Sequence, residues 1–285
     1  MVTLTENNCM EDIDPDGNLL DLILPADICK YYTVSELNMN YTGTCKDSFA
    51  IINYNVRSFH KNGTSFQSML DCLYQKFSCI VLSETWNNES NIDLCNFSGY
   101  DSFHTFRPKD HVYTISGGIS VLCTDTASAV KNVPLSICTP DIETCVVDFS
   151  YQNADICVVA VYRPPQGNKY VFIHELDRII CSIDAESRTV SVVGDFNLNL
   201  NDFDDNHVTE FTSKLQSRSY LSLINKPTRF SYTNDNLTNS SILDMIWTNN
   251  FDVSSCGILD YDVTDHLPTF CVYNKIIPKW KSGKN

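Results

Sequence analysis

Apolar positions along the chain fall into two alternating rhythms. From Ser48 the stretch "SFAIINYNV" is dense in β-branched and aromatic residues and predicts a strand. Phe66, Met69, Leu70, Leu73, Tyr74 and Phe77 then recur at intervals of three and four and predict an amphipathic helix. "SCIVLSE" (78–84) returns to a short apolar strand that ends on an acid. Strands dominate the middle, at "YTISGGISVLC" (113–123), "IETCVVDFS" (142–150) and "ICVVAVYRP" (156–164). A second helix is marked by Phe172, Ile173, Leu176, Ile179, Ile180 and Ile183, and "TVSVVGDF" follows it as a strand. Val208, Phe211 and Leu215 mark a third helix, and late strands sit near "SILDMIWTN" (241–249) and "LPTFCVY" (267–273). Helices and strands alternate only in part, which predicts an α/β protein with mixed sheets more than a strictly parallel doubly wound one. No internal repeat is visible.

Residues 1–46 break this texture. They are rich in Asp, Asn and Thr, carry eight acids against two lysines, and read as an acidic extension partly ordered through "NLLDLIL". The expected division is thus an acidic extension over 1–46, a folded domain over 47–274 and a loose basic tail over 275–285. The chain of 285 residues, 43% hydrophobic and 19% charged, is long enough to bury a sizeable core. Leu19 to Leu24, interrupted by Asp21, is too short to span a bilayer, and the N-terminus lacks a basic region followed by an apolar stretch. A nuclear or cytoplasmic protein, not a secreted or membrane one, is therefore expected. Thirteen cysteines, an odd number with no C-x-x-C, point to reduced thiols and away from a zinc ribbon. The net charge of −15 argues against a general nucleic-acid-coating protein, but it is compatible with a nuclease whose acids hold metal.

The chemistry concentrates where apolar strands stop. Asn55 follows "AIINY", Glu84 follows "CIVLS", and Tyr162 follows "CVVAV". Asp195 and Asn197 follow "VSVVG", Asp244 follows "SIL", and Asp265-His266 precede "LPTF". A calcium loop starting at Asp195 fails, because its sixth position is Leu200 and its twelfth is Asn206, where the motif needs Gly and Glu. Each residue alone has a plain alternative: Asn55 and Asn197 as turn caps, Asp265 as a helix cap, His266 as a surface histidine. If the strand ends share one sheet edge, however, four carboxylates, two amides, a phenol and an imidazole converge. Carboxylates so gathered need a counter-charge, and Mg²⁺ is a hard, oxygen-seeking neutraliser.

In that order, "NYNVRS", "VLSETW", "SGGISVL", "AVYRPP", "VVGDFNLNL", "SILDMIW" and "TDHLP" resemble the endonuclease/exonuclease/phosphatase superfamily. They look most like the apurinic-like endonuclease domains of LINE-type (non-LTR) retrotransposons, over residues 48–273. The resemblance implies a deoxyribonuclease I-like, four-layer α/β sandwich: two mixed β-sheets face to face with helices outside. It implies Mg²⁺-dependent phosphodiester hydrolysis, with Mn²⁺ as a possible substitute, leaving 3′-hydroxyl and 5′-phosphate ends. Glu84 would be the main metal ligand with Asn55 beside it, and Asp265 would belong to the outer metal shell. Asp195 would position or deprotonate water, Asn197 would hold the scissile phosphate, and Tyr162 would donate toward it or the leaving group. Asp244 would orient His266, which would contact a non-bridging oxygen. Ser241 matches a DNA-facing position, and Arg163 and Arg57 adjoin motif residues and are candidate phosphate contacts. The implied partners are duplex DNA and a reverse transcriptase encoded elsewhere in the element. Thr264 stands where the family often has Ser, and Leu243 where it often has Ile; no expected catalytic position is lost.

The same metal site serves RNA 3′-exonucleases and phosphoesterases of small or lipid phosphates, since a fold does not fix its substrate. A protruding polar hairpin near residues 225–241 would favour duplex DNA, and a closed pocket would favour small substrates. A catalytically inactive, element-derived interaction protein is the third reading, motivated by the acidic balance.

Overall fold

The structure is a computed structural model that describes residues 28–40, 48–92, 97–107, 116–125, 127–152, 154–183, 188–233, 236–274 and 276. Elements are numbered in chain order. The first sheet holds β1 (Cys29–Tyr32), β2 (Phe49–Asn55), β3 (Cys79–Ser83), β4 (Tyr100–Thr105), β5 (Ile119–Thr124), β14 (Val253–Leu259) and β15 (Thr269–Tyr273), in the order β1-β14-β15-β2-β3-β5-β4. The second holds β6 (Ser128–Lys131), β7 (Glu143–Tyr151), β8 (Ala154–Tyr162), β9 (Thr189–Asp195), β10 (Leu221–Ser222) and β13 (Asp244–Thr248), in the order β10-β13-β9-β8-β7-β6. Both sheets are mixed: β1–β14, β2–β3 and β8–β9 pair parallel and the other pairs antiparallel. A separate two-stranded hairpin, β11 (Arg229–Thr233) and β12 (Asn236–Ser241), pairs with neither sheet.

Strand periodicity explains the layering. Every residue of β2 is buried. Phe49 and Ile51 join the core shared with the second sheet, whereas Ala50, Ile52 and Tyr54 join a second core on the opposite face. In β3, Cys79 and Val81 split from Ile80 and Leu82 in the same way. A strand with two buried faces loses its polar alternation, which is why these segments read as continuous apolar runs. The outer face of the first sheet is covered by α2 (Phe59–Cys72), through Phe59, Phe66 and Met69. The second sheet is backed by α3 (Lys169–Cys181) and α4 (Asn206–Ser217), whose Phe172, Phe211 and Leu215 join the main core. Fully burying each such side chain contributes about 1.5–3 kcal/mol. The result is the deoxyribonuclease I-like α/β sandwich that the resemblance implies.

The three helices lie where the periodicity puts them, with one shift. The first spans Phe59–Cys72, so Leu73 caps it and Phe77 is buried from the following loop. The strand drawn over 113–123 begins only at Ile119 among the described residues. Residues 28–40, assigned above to the acidic extension, supply edge strand β1 and the short helix α1 (Val34–Asn40). "NLLDLIL" and the tail from 277 lie outside the described residues. All described cysteines are free, and seven of them are buried.

Candidate functional site

Registry places the polar strand ends side by side. Across the second sheet, Glu143 of β7 lies opposite Tyr162 of β8, Tyr162 opposite Asp195 of β9, and Asp195 opposite Asp244 of β13. In the first sheet Asn55 lies opposite Ser83, one residue before Glu84. The parallel crossovers β2–α2–β3 and β8–α3–β9 bring both strands of each pair to the same edge. Gly194 makes the last step possible: its φ is +153°, and a Cβ there would run into the Val161 carbonyl. This is the reason for the glycine in "GDFN".

The two sheets meet through Asn55. Its Nδ2 donates to Glu84 Oε1 at 2.9 Å and to Asp195 Oδ2 at 2.8 Å, while its Oδ1 accepts from the Arg57 N–H at 3.2 Å. Asp195 Oδ1 accepts from the Asn197 N–H at 3.0 Å, and Asn197 Nδ2 donates to the Arg163 carbonyl at 2.8 Å. Asp244 Oδ2 meets His266 Nδ1 at 2.8 Å and also accepts from Thr228 Oγ1 at 2.8 Å. Atoms of Asp195, Asp244 and His266 lie within 4.8 Å of one another. Thus Asn55, Glu84, Tyr162, Asp195, Asn197, Asp244 and His266 form one site.

Burial makes that site electrostatically tense. Asp195 and Asp244 are fully buried and have no lysine or arginine ion pair among the described residues. Burial first, and then the Asp244 and Glu84 charges, push the Asp195 carboxyl from 3.8 up to about 7. Burial opposes charge on His266, but Asp244, Asp195 and Asp265 outweigh it and carry the imidazole from 6.5 to about 9. His266 is therefore a cation at neutral pH, with Nδ1 held by Asp244. Burial, followed by Glu84, Asp195 and Glu143, raises Tyr162, so it acts as a neutral phenol. Asp244 Oδ1 is buried with no hydrogen-bond partner. An oxygen-rich set short of positive charge, with an orphaned buried oxygen, fits a hard divalent cation.

Strain gathers here as well. Of the seven non-glycine residues with positive φ among the described residues, five lie in these loops: Arg57, Ser58, Glu84, Trp86 and Asn197.

Three expected residues sit differently. Asp265 accepts from Arg57 Nη1 at 2.6 Å and from Arg229 Nε at 2.8 Å, so each of its oxygens carries a guanidinium bond. Burial works to raise its pKa, but His266 and the two arginines hold it below the usual carboxylate range. Arg163 is 3% exposed, and its guanidinium donates to the carbonyls of Pro164, Phe196, Gly167 and Asn197. It braces the two loops that carry Tyr162 and Asn197 and does not face the cleft. Ser241 is buried at the base of the hairpin, its carbonyl accepting from the Thr228 N–H at 2.9 Å. Arg57, in contrast, keeps 45% of its side chain exposed at the cleft.

Two residues escaped the sequence reading. Thr228 Oγ1 accepts from the Leu243 and Asp244 N–H groups while donating to Asp244, so it fixes the carboxylate that orients His266. Glu143, fully buried, pairs with Arg107 and accepts from the Gly118 N–H at 2.6 Å. The signal for Glu143 was an acid opening an apolar strand; Thr228 lies in a loop and gave none.

Residues 156–270 match the protein family described as "Endonuclease-reverse transcriptase". No curated protein matches the sequence. Among solved structures, the endonuclease domain of TRAS1, a telomere-specific non-LTR retrotransposon, is 15% identical, with a TM-score of 0.61 over 79% of this chain and 98% of that one. AP endonuclease LMAP from Leishmania major is 14% identical, with a TM-score of 0.64 over 82% and 90% of the two chains. The Xenopus laevis APE2 catalytic domain is 14% identical, with a TM-score of 0.57 over 82% and 94%.

Proposed function

We propose that this protein, whose residues 156–270 match the endonuclease–reverse transcriptase family and whose fold is that of the endonuclease/exonuclease/phosphatase neighbours, is a divalent-metal-dependent DNA endonuclease. In this reading it nicks one strand of a target duplex for a non-LTR retrotransposon and leaves 3′-hydroxyl and 5′-phosphate ends. The observation that carries it is the Asn55 amide bridging Glu84 and Asp195 across the two sheets, beside an Asp244–His266 pair.

Glu84 and Asn55 would hold the cation, Mg²⁺ with Mn²⁺ as substitute, which when bound supplies Lewis-acid neutralisation of phosphate charge. Asp195, with a proton affinity near neutrality, orients water and accepts its proton. Asn197 Nδ2 donates to the Arg163 carbonyl at 2.8 Å and, more weakly, to Asp195 at 3.3 Å; the second hydrogen would turn from Asp195 to hold the scissile phosphate. The His266 imidazolium donates from Nε2 to a non-bridging oxygen, its ring fixed by Asp244 as in hydrolase triads. The Tyr162 hydroxyl donates toward the leaving group.

The hairpin favours a duplex substrate over a small phosphoester. It stands outside both sheets, with Tyr232 and Leu237 exposed, beside the His266 segment, to which Arg229 forms a bridge. Arg57 is the exposed cation that would meet a flanking phosphate. No described helix is long and apolar enough to cross a membrane. A plasmid-nicking assay tests the proposal: nicking should require divalent metal, stop with EDTA, and fail in Glu84→Ala and His266→Ala proteins. Nicking that survives either substitution would remove these assignments.

A further inference from the structure

The hydrolytic reading leaves one feature of the cleft unused. Beside Glu84 and Tyr162 lies a cavity of about 350 Å³, lined also by Trp86, Arg107, Arg57 and the β8–α3 loop prolines Pro164 and Pro165. That volume lies within the range of about 300–1,000 Å³ typical of small-ligand sites. Trp86 is 38% exposed although it is a large aromatic, and its φ of +57° is one that bulky residues rarely adopt. Neighbouring main chain holds the strained loop in place. The Trp86 N–H donates to the Gly117 carbonyl at 2.9 Å, Thr85 to Gly118 at 3.2 Å, and the Ser58 and Phe59 N–H groups reach back to Glu84 and Thr85. Observed strain of this kind points toward function.

We infer that this cavity takes one unpaired nucleotide of the DNA strand being cut, its base stacked on the Trp86 indole. The inference rests on the endonuclease reading of the adjoining site. An indole stacks on any base, but only on one whose face is not covered by neighbours in a duplex. Pro140, Pro164 and Pro165 add apolar lining to the same cavity. Both arginines are ion-paired, Arg107 with Glu143 and Arg57 with Asp265. Arg57 engages Asp265 through Nη1 alone, so it keeps guanidinium donors for a phosphate at the cavity mouth. The cavity therefore selects DNA that is gapped, bulged or mismatched next to the scissile bond.

The experiment compares Mg²⁺-dependent nicking of a matched duplex with that of the same duplex carrying a two-nucleotide mismatch at the nick. The wild-type protein should favour the mismatched duplex. Trp86→Ala should raise KM for it at least about fivefold, the lower end of base–aromatic stacking, and Trp86→Phe should restore most of that loss. Binding supplies a second readout. In a Trp280→Phe background, with Trp247 buried, Trp86 is the tryptophan that reports, and a short single-stranded oligonucleotide in EDTA should quench its fluorescence. Equal use of matched and mismatched duplexes, or anisotropy-detected binding without quenching, would overturn this inference alone. Wild-type protein that cuts no DNA would overturn the endonuclease reading along with it.

Discussion

Replacing Asp195 with Asn should abolish nicking and, at alkaline pH, make the metal-free protein more stable. The folded state carries this carboxyl from 3.8 to about 7, chiefly through burial and the Asp244 charge. A group whose proton affinity rises on folding stabilises the fold below its unfolded value and loses that contribution as pH climbs through the folded one. At about 1.4 kcal/mol per tenfold change, the charged Asp195 costs the fold about 4 kcal/mol by pH 8 and almost nothing at pH 4. Against this stands a hydrogen-bond loss. Oδ2 accepts from Asn55 Nδ2 at 2.8 Å and Asn197 Nδ2 at 3.3 Å, and Oδ1 from the Asn197 N–H at 3.0 Å. An amide has one acceptor oxygen, so it turns an NH₂ toward a donor, at about 1–3 kcal/mol. The difference is a net gain of about 1–3 kcal/mol at pH 8 and a net loss at pH 4. For a domain of this size that corresponds to a Tm increase of about 2–6 °C at pH 8, reversing in sign at pH 4. Calorimetry in EDTA across this range reads it directly. A difference in Tm that does not change with pH would refute the electrostatic account of Asp195.

Other consequences follow from the same contacts. His266→Ala should lower kcat about 10²–10⁴-fold, and Asp244→Asn by a smaller factor with a shifted pH profile, because the imidazole loses its charged partner. His266 itself stabilises the metal-free fold fully below pH 6.5, and that contribution fades as pH rises through about 9; Mg²⁺ should therefore raise Tm more at pH 8 than at pH 5. Arg163→Ala should destabilise by about 2–4 kcal/mol, read by urea unfolding, while the salt dependence of DNA binding stays as in the wild type, since its guanidinium serves carbonyls and not phosphate. Gly194→Ala should yield little soluble protein, because its methyl would displace β8 from β9.

Much of this was legible in the chain. The three main helices and the buried strands β2, β3, β8, β9 and β15 announced themselves because burial on one stripe or on both faces leaves an unbroken apolar rhythm. β4, β6 and the hairpin strands did not, since an edge strand with one wet face has a mixed composition; Tyr100–Thr105 contains only one fully buried position. Site residues at strand ends were visible as polar stops. Arg163 and Asp265 show a limit of the sequence: a charged side chain's sequence neighbours do not say which partner, 33 or 36 residues away, will claim it. Thr228 was invisible because its role depends on a register, not on a pattern.

Charge explains why this site is built from strand ends and not from a helix or a single loop. A strand pair fixes opposing residues to within one register step, so Tyr162, Asp195 and Asp244 are set side by side by main-chain ladders that the side chains cannot relax. Left to themselves, Glu84, Asp195 and Asp244 would spread apart into solvent; the ladders forbid it. The repulsion so stored appears three times over, as the elevated proton affinity of Asp195, as the imidazolium of His266 and as the unpartnered oxygen of Asp244. Each of these is relieved by positive charge arriving in the cleft. The same tension that weakens the metal-free fold with rising pH would, on the proposed function, favour a divalent cation, and the core of branched and aromatic side chains between the sheets supplies the stability that lets it persist.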